Sequence, residues 1–208
     1  MKKFVLSVIA ICLSAGVLAA SACGRGSSGI EQSLKDLRSA DSFSVECESE
    51  IIFRCSGDVF YWKNMYGDSY PGEYCEYYFS PDGDGKYWVY EQEFNADQWT
   101  RQALTAPEYY SYYYMIKSGF GAEESFMQLI DLICMDFSAL VTYEDGKYTL
   151  IDGLYYGELS FRQDGGDMIF ETGYDGDTVR YTVSGINSTE IRLPASLSQA
   201  ETGEVMLP

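Results

Sequence analysis

The chain contains no histidine. That absence removes the commonest general base at neutral pH and the commonest metal ligand, and with them most hydrolase triads and most zinc sites. Positive charge is scarce: 14 Lys and Arg stand against 32 Asp and Glu, for a net charge of −18. Such a field repels phosphate backbones and anionic headgroups, so no nucleic acid is expected as a partner and no folded face is expected to dock on a lipid surface. No Cys-x-x-Cys pair occurs, which argues against a redox motif or a zinc knuckle. There is no Gly-x-Ser-x-Gly elbow and no phosphate-cradling glycine loop. Paired carboxylates are the only acid–base equipment in quantity, so the expectation is a protein that is not an enzyme, with no catalytic residue, no metal and no cofactor.

Long hydrophobic runs are also missing, apart from the first. Lys2 and Lys3 precede an apolar stretch from Phe4 to Leu18, and small residues lead to Ala20-Ser21-Ala22-Cys23-Gly24. This is the layout of a secretory signal peptide, shorter than the ~20 apolar residues of a membrane span. A cysteine directly after small residues suggests a bacterial lipobox, with Cys23 as the lipid attachment site and the membrane reached through that anchor alone. The place three before the cysteine, where such boxes usually carry Leu, holds Ala20, and Ala20-x-Ala22 also fits ordinary cleavage, which would give a secreted protein. In either case the chain leaves the cytoplasm, and in the first it sits on the outer face of the cell membrane. Residues 23–29 read as the lipidated cysteine and a flexible tether, because Gly24-Arg-Gly-Ser-Ser-Gly29 is Gly/Ser-rich.

Removing residues 1–22, which hold two lysines and no acid, leaves 186 residues and takes the net charge from −18 to −20. That length suits one domain with a real core, expected over 30–195, with 196–208 as a loose tail. Four cysteines remain in it, Cys47, Cys55, Cys75 and Cys134. An oxidising compartment would allow two disulfides among them in three pairings.

Apolar spacing predicts a helix over 30–40, from Ile30, Leu34 and Leu37. The period then becomes two. Phe43, Val45, Cys47, Ser49, Ile51, Phe53 and Cys55 alternate with Ser44, Glu46, Glu48, Glu50, Ile52, Arg54 and Ser56, which predicts one long strand with an apolar and an acidic face. Ser56-Gly-Asp58 offers a turn, with a return strand over 59–66. Further strands are expected over 73–80, 86–93 and 98–104. Thr105-x-x-Glu108 is a capping box with Pro107 in the first turn, opening a helix to about Lys117. Phe126, Leu129, Ile130, Ile133, Phe137 and Leu140 keep helical spacing in a second helix. Strands over 141–144, 147–152, 155–163, 168–172, 178–184 and 190–193 follow, parted by Asp-Gly turns. The expected class is α+β: a curved antiparallel sheet with an N-terminal helix and two inserted helices, the inserted helices covering one face.

Three stretches carry a family resemblance. They are Leu34-Lys-Asp-Leu-Arg-Ser-Ala-Asp-Ser-Phe43-Ser-Val45; Lys86-Tyr-Trp-Val-Tyr90 followed by Asp97-Gln-Trp-Thr-Arg101; and Val179-Arg-Tyr-Thr-Val-Ser-Gly-Ile-Asn187 with Ile191-Arg-Leu-Pro194. Together with the leader they resemble the LolA/LppX-like superfamily of lipoprotein carriers and lipid-binding proteins. The resemblance implies an unclosed half-barrel whose concave face, covered by the N-terminal helix and the two inserted helices, holds acyl chains or another apolar ligand. The superfamily also includes periplasmic regulators that bind signalling proteins. It transfers no ligand-contacting residue to this chain.

Two function classes follow. The first is an anchored, non-catalytic binder of a lipid-like or other apolar small molecule. The second is an envelope protein-interaction module: a sensor, regulator or adhesin. Candidate cavity residues are Phe43, Val45, Ile51 and Phe53 on the first strand, Tyr109, Tyr113 and Ile116 on the tyrosine-rich helix, and Phe126 and Ile130 on the next. Each also suits an ordinary core. An open concave face lined by these residues would favour the carrier, and a filled one with an exposed aromatic patch of roughly several hundred Å² the interaction module. Asp82-Gly-Asp84-Gly-Lys86 with Glu93 mimics a calcium loop, but Lys86 takes a ligand position and Tyr87 stands where Gly is required, so a hairpin turn is expected.

Overall fold

A computed structural model describes residues 29–48, 50–65, 73–119, 126–151, 158–174 and 177–207. Cys23 and the leader lie outside the described residues, as do Tyr66, the Asp175-Gly176 turn, the segment 152–157 and the side chain of Phe126. The chain forms helix α1 (29–38), then strands β1 (Ser42–Cys47), β2 (Glu50–Ser56), β3 (Val59–Met65), β4 (Tyr74–Pro81), β5 (Tyr87–Glu93) and β6 (Thr100–Leu104). Helices α2 (Ala106–Gly119), α3 (Phe126–Met135) and α4 (Phe137–Leu140) follow. Strands β7 (Val141–Glu144), β8 (Lys147–Leu150), β9 (Glu158–Asp164), β10 (Asp167–Tyr174) and β11 (Asp177–Ser184) come next, and the two-residue β12 (Glu201–Thr202) is last. Among the described residues no helix is long and apolar enough to cross a membrane.

The fold is α+β, built on one large, curved, unclosed sheet of order β12-β6-β5-β4-β3-β2-β1-β11-β10-β9-β8-β7. Every pairing is antiparallel except that of β12 with β6. Two meanders are joined where β1 pairs with β11. Tight turns set their registers. Asp145 and Gly146 both take positive φ, 50° and 82°, the conformation that a two-residue hairpin needs between Glu144 and Lys147. Strands β6, next to the edge strand β12, and β7, the opposite edge, lie far apart in the sheet although only α2, α3 and α4 separate them among the described elements.

Local signals explain the helices. The capping box forms: the Thr105 N–H and hydroxyl both donate to Glu108 Oε2, at 2.8 and 2.7 Å. At the other end of α2, Lys117 Nζ donates to the Ala40 carbonyl at 3.0 Å, just past α1. The predicted helix over 126–140 is broken at Asp136. That residue leaves helical geometry and accepts the Ala139 N–H, capping α4.

The predicted strand over 43–55 is in fact a hairpin. The chain reverses after Glu48, whose φ is 52°, and β2 pairs back on β1 with Phe43 opposite Cys55 and Val45 opposite Phe53. Alternation survives a hairpin, so period alone could not reveal the reversal. The register then slips at Val45/Glu46, leaving Ile52 as an extra residue and setting Glu46 opposite Ile51. Two expectations at the C-terminal end also change. Residues 190–193 form no strand; they run unpaired toward Pro194. The supposedly loose tail is tied down by a 3-10 turn at Ala195–Gln199 and by β12 beside β6, with Leu197, Ala200 and Val205 buried.

Candidate binding site on the outer face of the sheet

Strand alternation gives the sheet two faces. One carries Phe43, Val45, Phe53, Phe60, Phe79 and Val89, which form a single buried cluster with Ile30, Leu34 and Leu37 of α1, Tyr109, Tyr113 and Ile116 of α2, and Ile130 and Ile133 of α3. Phe60 stacks on Phe79 at 4.1 Å, and Tyr109 and Tyr113 meet Phe60 edge-on at 5.7 and 5.2 Å. The Tyr109 hydroxyl donates to the Asp58 carbonyl. Seven of the candidate cavity residues are thus brought together: Phe43, Val45, Phe53, Tyr109, Tyr113, Ile116 and Ile130. Phe43, Val45, Phe53 and Tyr109 are each 0 % exposed, so no space large enough for a water molecule touches them. On α2, Tyr114 and Met115, at 66 % and 47 % exposure, face solvent.

Ile51 is the exception. The bulge in β2 turns it to the opposite, outer face, where it joins Arg54. There the registers align one residue from each of seven strands into a continuous row: Ser44, Arg54, Tyr61, Tyr78, Tyr90, Arg101 and Thr202. Tyr61 and Tyr78 lie 5.0 Å apart, and Tyr78 meets Trp99 edge-on at 5.5 Å. The segment after β11 runs across this face toward β6. Ile191 and Arg192 stand beside Arg54, and Leu197 and Ala200 pack on Trp99, Tyr78 and Tyr90.

Under that belt lies a half-open cavity of about 180 Å³, lined by Ile51, Arg54, Tyr61, Glu76, Tyr78, Ile191 and Arg192. Its polar groups are sparsely partnered. Arg54 Nε donates to Ser44 Oγ at 3.4 Å, and no described carboxylate reaches ion-pair distance. Glu76 accepts the Tyr61 hydroxyl at 3.1 Å but no cation; its cross-strand neighbour Lys63 reaches Glu50 instead, at 2.7 Å. Burial and then the Glu76 charge push the Tyr61 phenol well above its ordinary range, so it stays a neutral donor. The cavity offers ring faces, two guanidinium groups and one carboxylate, which suits recognition more than bond-breaking.

No protein-family model matches this chain, and no curated protein or solved structure does either. The site therefore stands on its own geometry.

None of the four cysteines is disulfide-bonded. The registers explain three of them. Cys55 faces Phe43 while Cys47, four residues further along β1, faces Glu50; Cys75 stands four residues from Phe79, two strands away from Cys55. These offsets put the α-carbons more than ~10 Å apart, beyond the ~7 Å a disulfide tolerates. Cys134 sits on α3. Burial raises the Cys55 thiol to about 11 and also raises Cys47 and Cys134, so these three are poor nucleophiles. Among the described residues no group of His, Cys, Asp or Glu could hold a metal ion.

Two carboxylates outside the cavity are more heavily engaged. Glu171 on β10 receives Lys147 at 2.7 Å, Arg162 at 3.0 Å and Arg180 at 2.9 Å, and these hydrogen bonds pull its carboxyl down to about 2. Glu91 on β5 is 5 % exposed on the core face. It receives the Met206 N–H at 3.1 Å and stands 3.0 Å from the Tyr77 hydroxyl, which is also 2.9 Å from the Met206 carbonyl. Burial raises its carboxyl, and the nearby Glu93 adds to the rise. Alternation in Tyr87-x-Val89-x-Glu91 already places that acid with the buried residues.

Proposed function

We propose that this is an extracytoplasmic lipoprotein, anchored at Cys23, that serves as a non-catalytic binding module of the cell envelope and takes its ligand on the outer face of the sheet. We read the sheet as a LolA/LppX-like half-barrel whose concave face is covered by α1, α2 and α3. The observation that supports this reading is the packing on one face of the sheet: seven of the residues that would line an acyl cavity belong to one buried cluster, four of them 0 % exposed. A lipid could enter only by lifting α2 and α3 from an aromatic core worth roughly 1.5–3 kcal/mol per buried side chain. The outer face, by contrast, has a cavity with convergent polar groups. A chain without histidine fits recognition in place of chemistry.

Native mass spectrometry of the exported protein, purified without detergent, tests the reading. The expected result is the bare chain mass, unchanged after incubation with membrane lipids. A lipid mass that organic solvent strips off would overturn it in favour of a lipid carrier. Incorporation of a labelled fatty acid, abolished by Cys23→Ala, tests the anchor.

A further inference from the structure

We infer that the outer-face cavity binds a free α-amino acid with an apolar side chain. This rests on the outer-face reading above and gives it a ligand class. A half-buried guanidinium in an acid-rich protein ordinarily finds a carboxylate, yet Arg54 has only the Ser44 hydroxyl. Glu76 shares the cavity and has only the Tyr61 hydroxyl. The two do not pair with each other. They stand two strands and two residues apart, about 12 Å between α-carbons, and both line the cavity without forming an ion pair.

A ligand that completes both must present an anion to Arg54 and a cationic donor to Glu76 a few ångströms away. The ammonium and carboxylate of an amino acid do this in one small unit. Tyr61, Tyr78, Ile51 and Ile191 leave ring faces and aliphatic surface for the rest of the molecule. Size agrees: about 180 Å³ is the room of roughly six waters and well below the ~300–1,000 Å³ that encloses larger ligands. Charge agrees as well. A net charge of −18 repels a simple anion such as an acidic sugar, whereas a zwitterion approaches unopposed.

Calorimetric titration of the purified exported protein tests this, with L-phenylalanine, phenylalaninamide, N-acetylphenylalanine and glucuronate as probes. L-phenylalanine should bind, and the amide and the N-acetyl form should each bind ~10- to 100-fold more weakly, the worth of a charge-assisted hydrogen bond. Arg54→Gln should erase discrimination against the amide, and Glu76→Gln discrimination against the N-acetyl form, with unchanged near-ultraviolet circular dichroism. Equal binding of all three, or no heat from any of them at about 10 mM, would overturn the inference. Arg54-dependent binding of glucuronate above phenylalanine would overturn it while leaving the outer-face reading intact. That reading falls only to a bound lipid.

Discussion

Replacing Glu171 by Gln is expected to destabilise the fold in a way that depends on salt and pH. The Glu171 side chain is 12 % exposed, whereas Lys147 and Arg180 around it are 49 % and 57 % exposed. A carboxyl held at about 2 against an ordinary 4.5 corresponds to roughly 3 kcal/mol, at ~1.4 kcal/mol per pH unit. Two of the three cations are open to solvent, so screening reduces this to about 1–2 kcal/mol. The folded-state value lies below the unfolded one, so the stabilisation is complete above pH 4.5 and fades as pH falls toward 2. Urea unfolding of wild type and E171Q at neutral pH should show the loss at low salt and less of it near 1 M. The two proteins should converge in stability on acidification. A difference below about 0.5 kcal/mol at low salt, or a gap that persists near pH 2, would refute the reasoning.

Other perturbations test other parts of the fold. Because burial raises the Glu91 carboxyl, its contribution is present below the unfolded value and fades as pH rises through the folded one. Glu91→Gln, whose amide can donate to Tyr77 and accept from Met206, should remove that fade, seen as a smaller fall in Tm between mildly acidic and alkaline pH; an unchanged pH profile would count against it. Phe79→Ala removes a ring stacked on Phe60 at 0 % exposure and should cost about 3–5 kcal/mol in urea unfolding, with under 1 kcal/mol contradicting a filled core. Gly185→Ala sets a methyl 2.4 Å from Thr189 Oγ1 at a φ of +62° and should cost about 1–3 kcal/mol, read as a lower urea midpoint. An unchanged midpoint would show that the start of the outer belt is not held as described.

Much of the architecture was legible because it rests on local rules. The capping box of α2, the apolar stripe of α1 and the Asp145-Gly146 turn each act within a few residues, and each predicts its element. The outer-face site was not legible, since it depends on how hairpins register against one another. Nothing within β2 alone says that Arg54 will stand beside Tyr61, or Tyr61 beside Tyr78. A single slipped residue at Ile52 moved Ile51 from one face to the other. The docking of residues 195–207 was hidden for a related reason: the segment is polar overall and commits only Leu197, Ala200 and Val205 to the interior, too few to show a period. Glu91 could have been found from its strand parity.

The belt also has a consequence for when the protein can finish folding. Strand β6 gains its outer neighbour only from Glu201 and Thr202, about a hundred residues later in the chain. Until those residues arrive, Thr100–Leu104 is an open strand edge able to pair with any passing extended segment. Tyr77 and Glu91 likewise wait for Met206. Contacts this distant in sequence form late and slowly. The interval between emergence of β6 and arrival of residues 195–207 is therefore a period of exposure to aggregation, and protection of that edge matters most then.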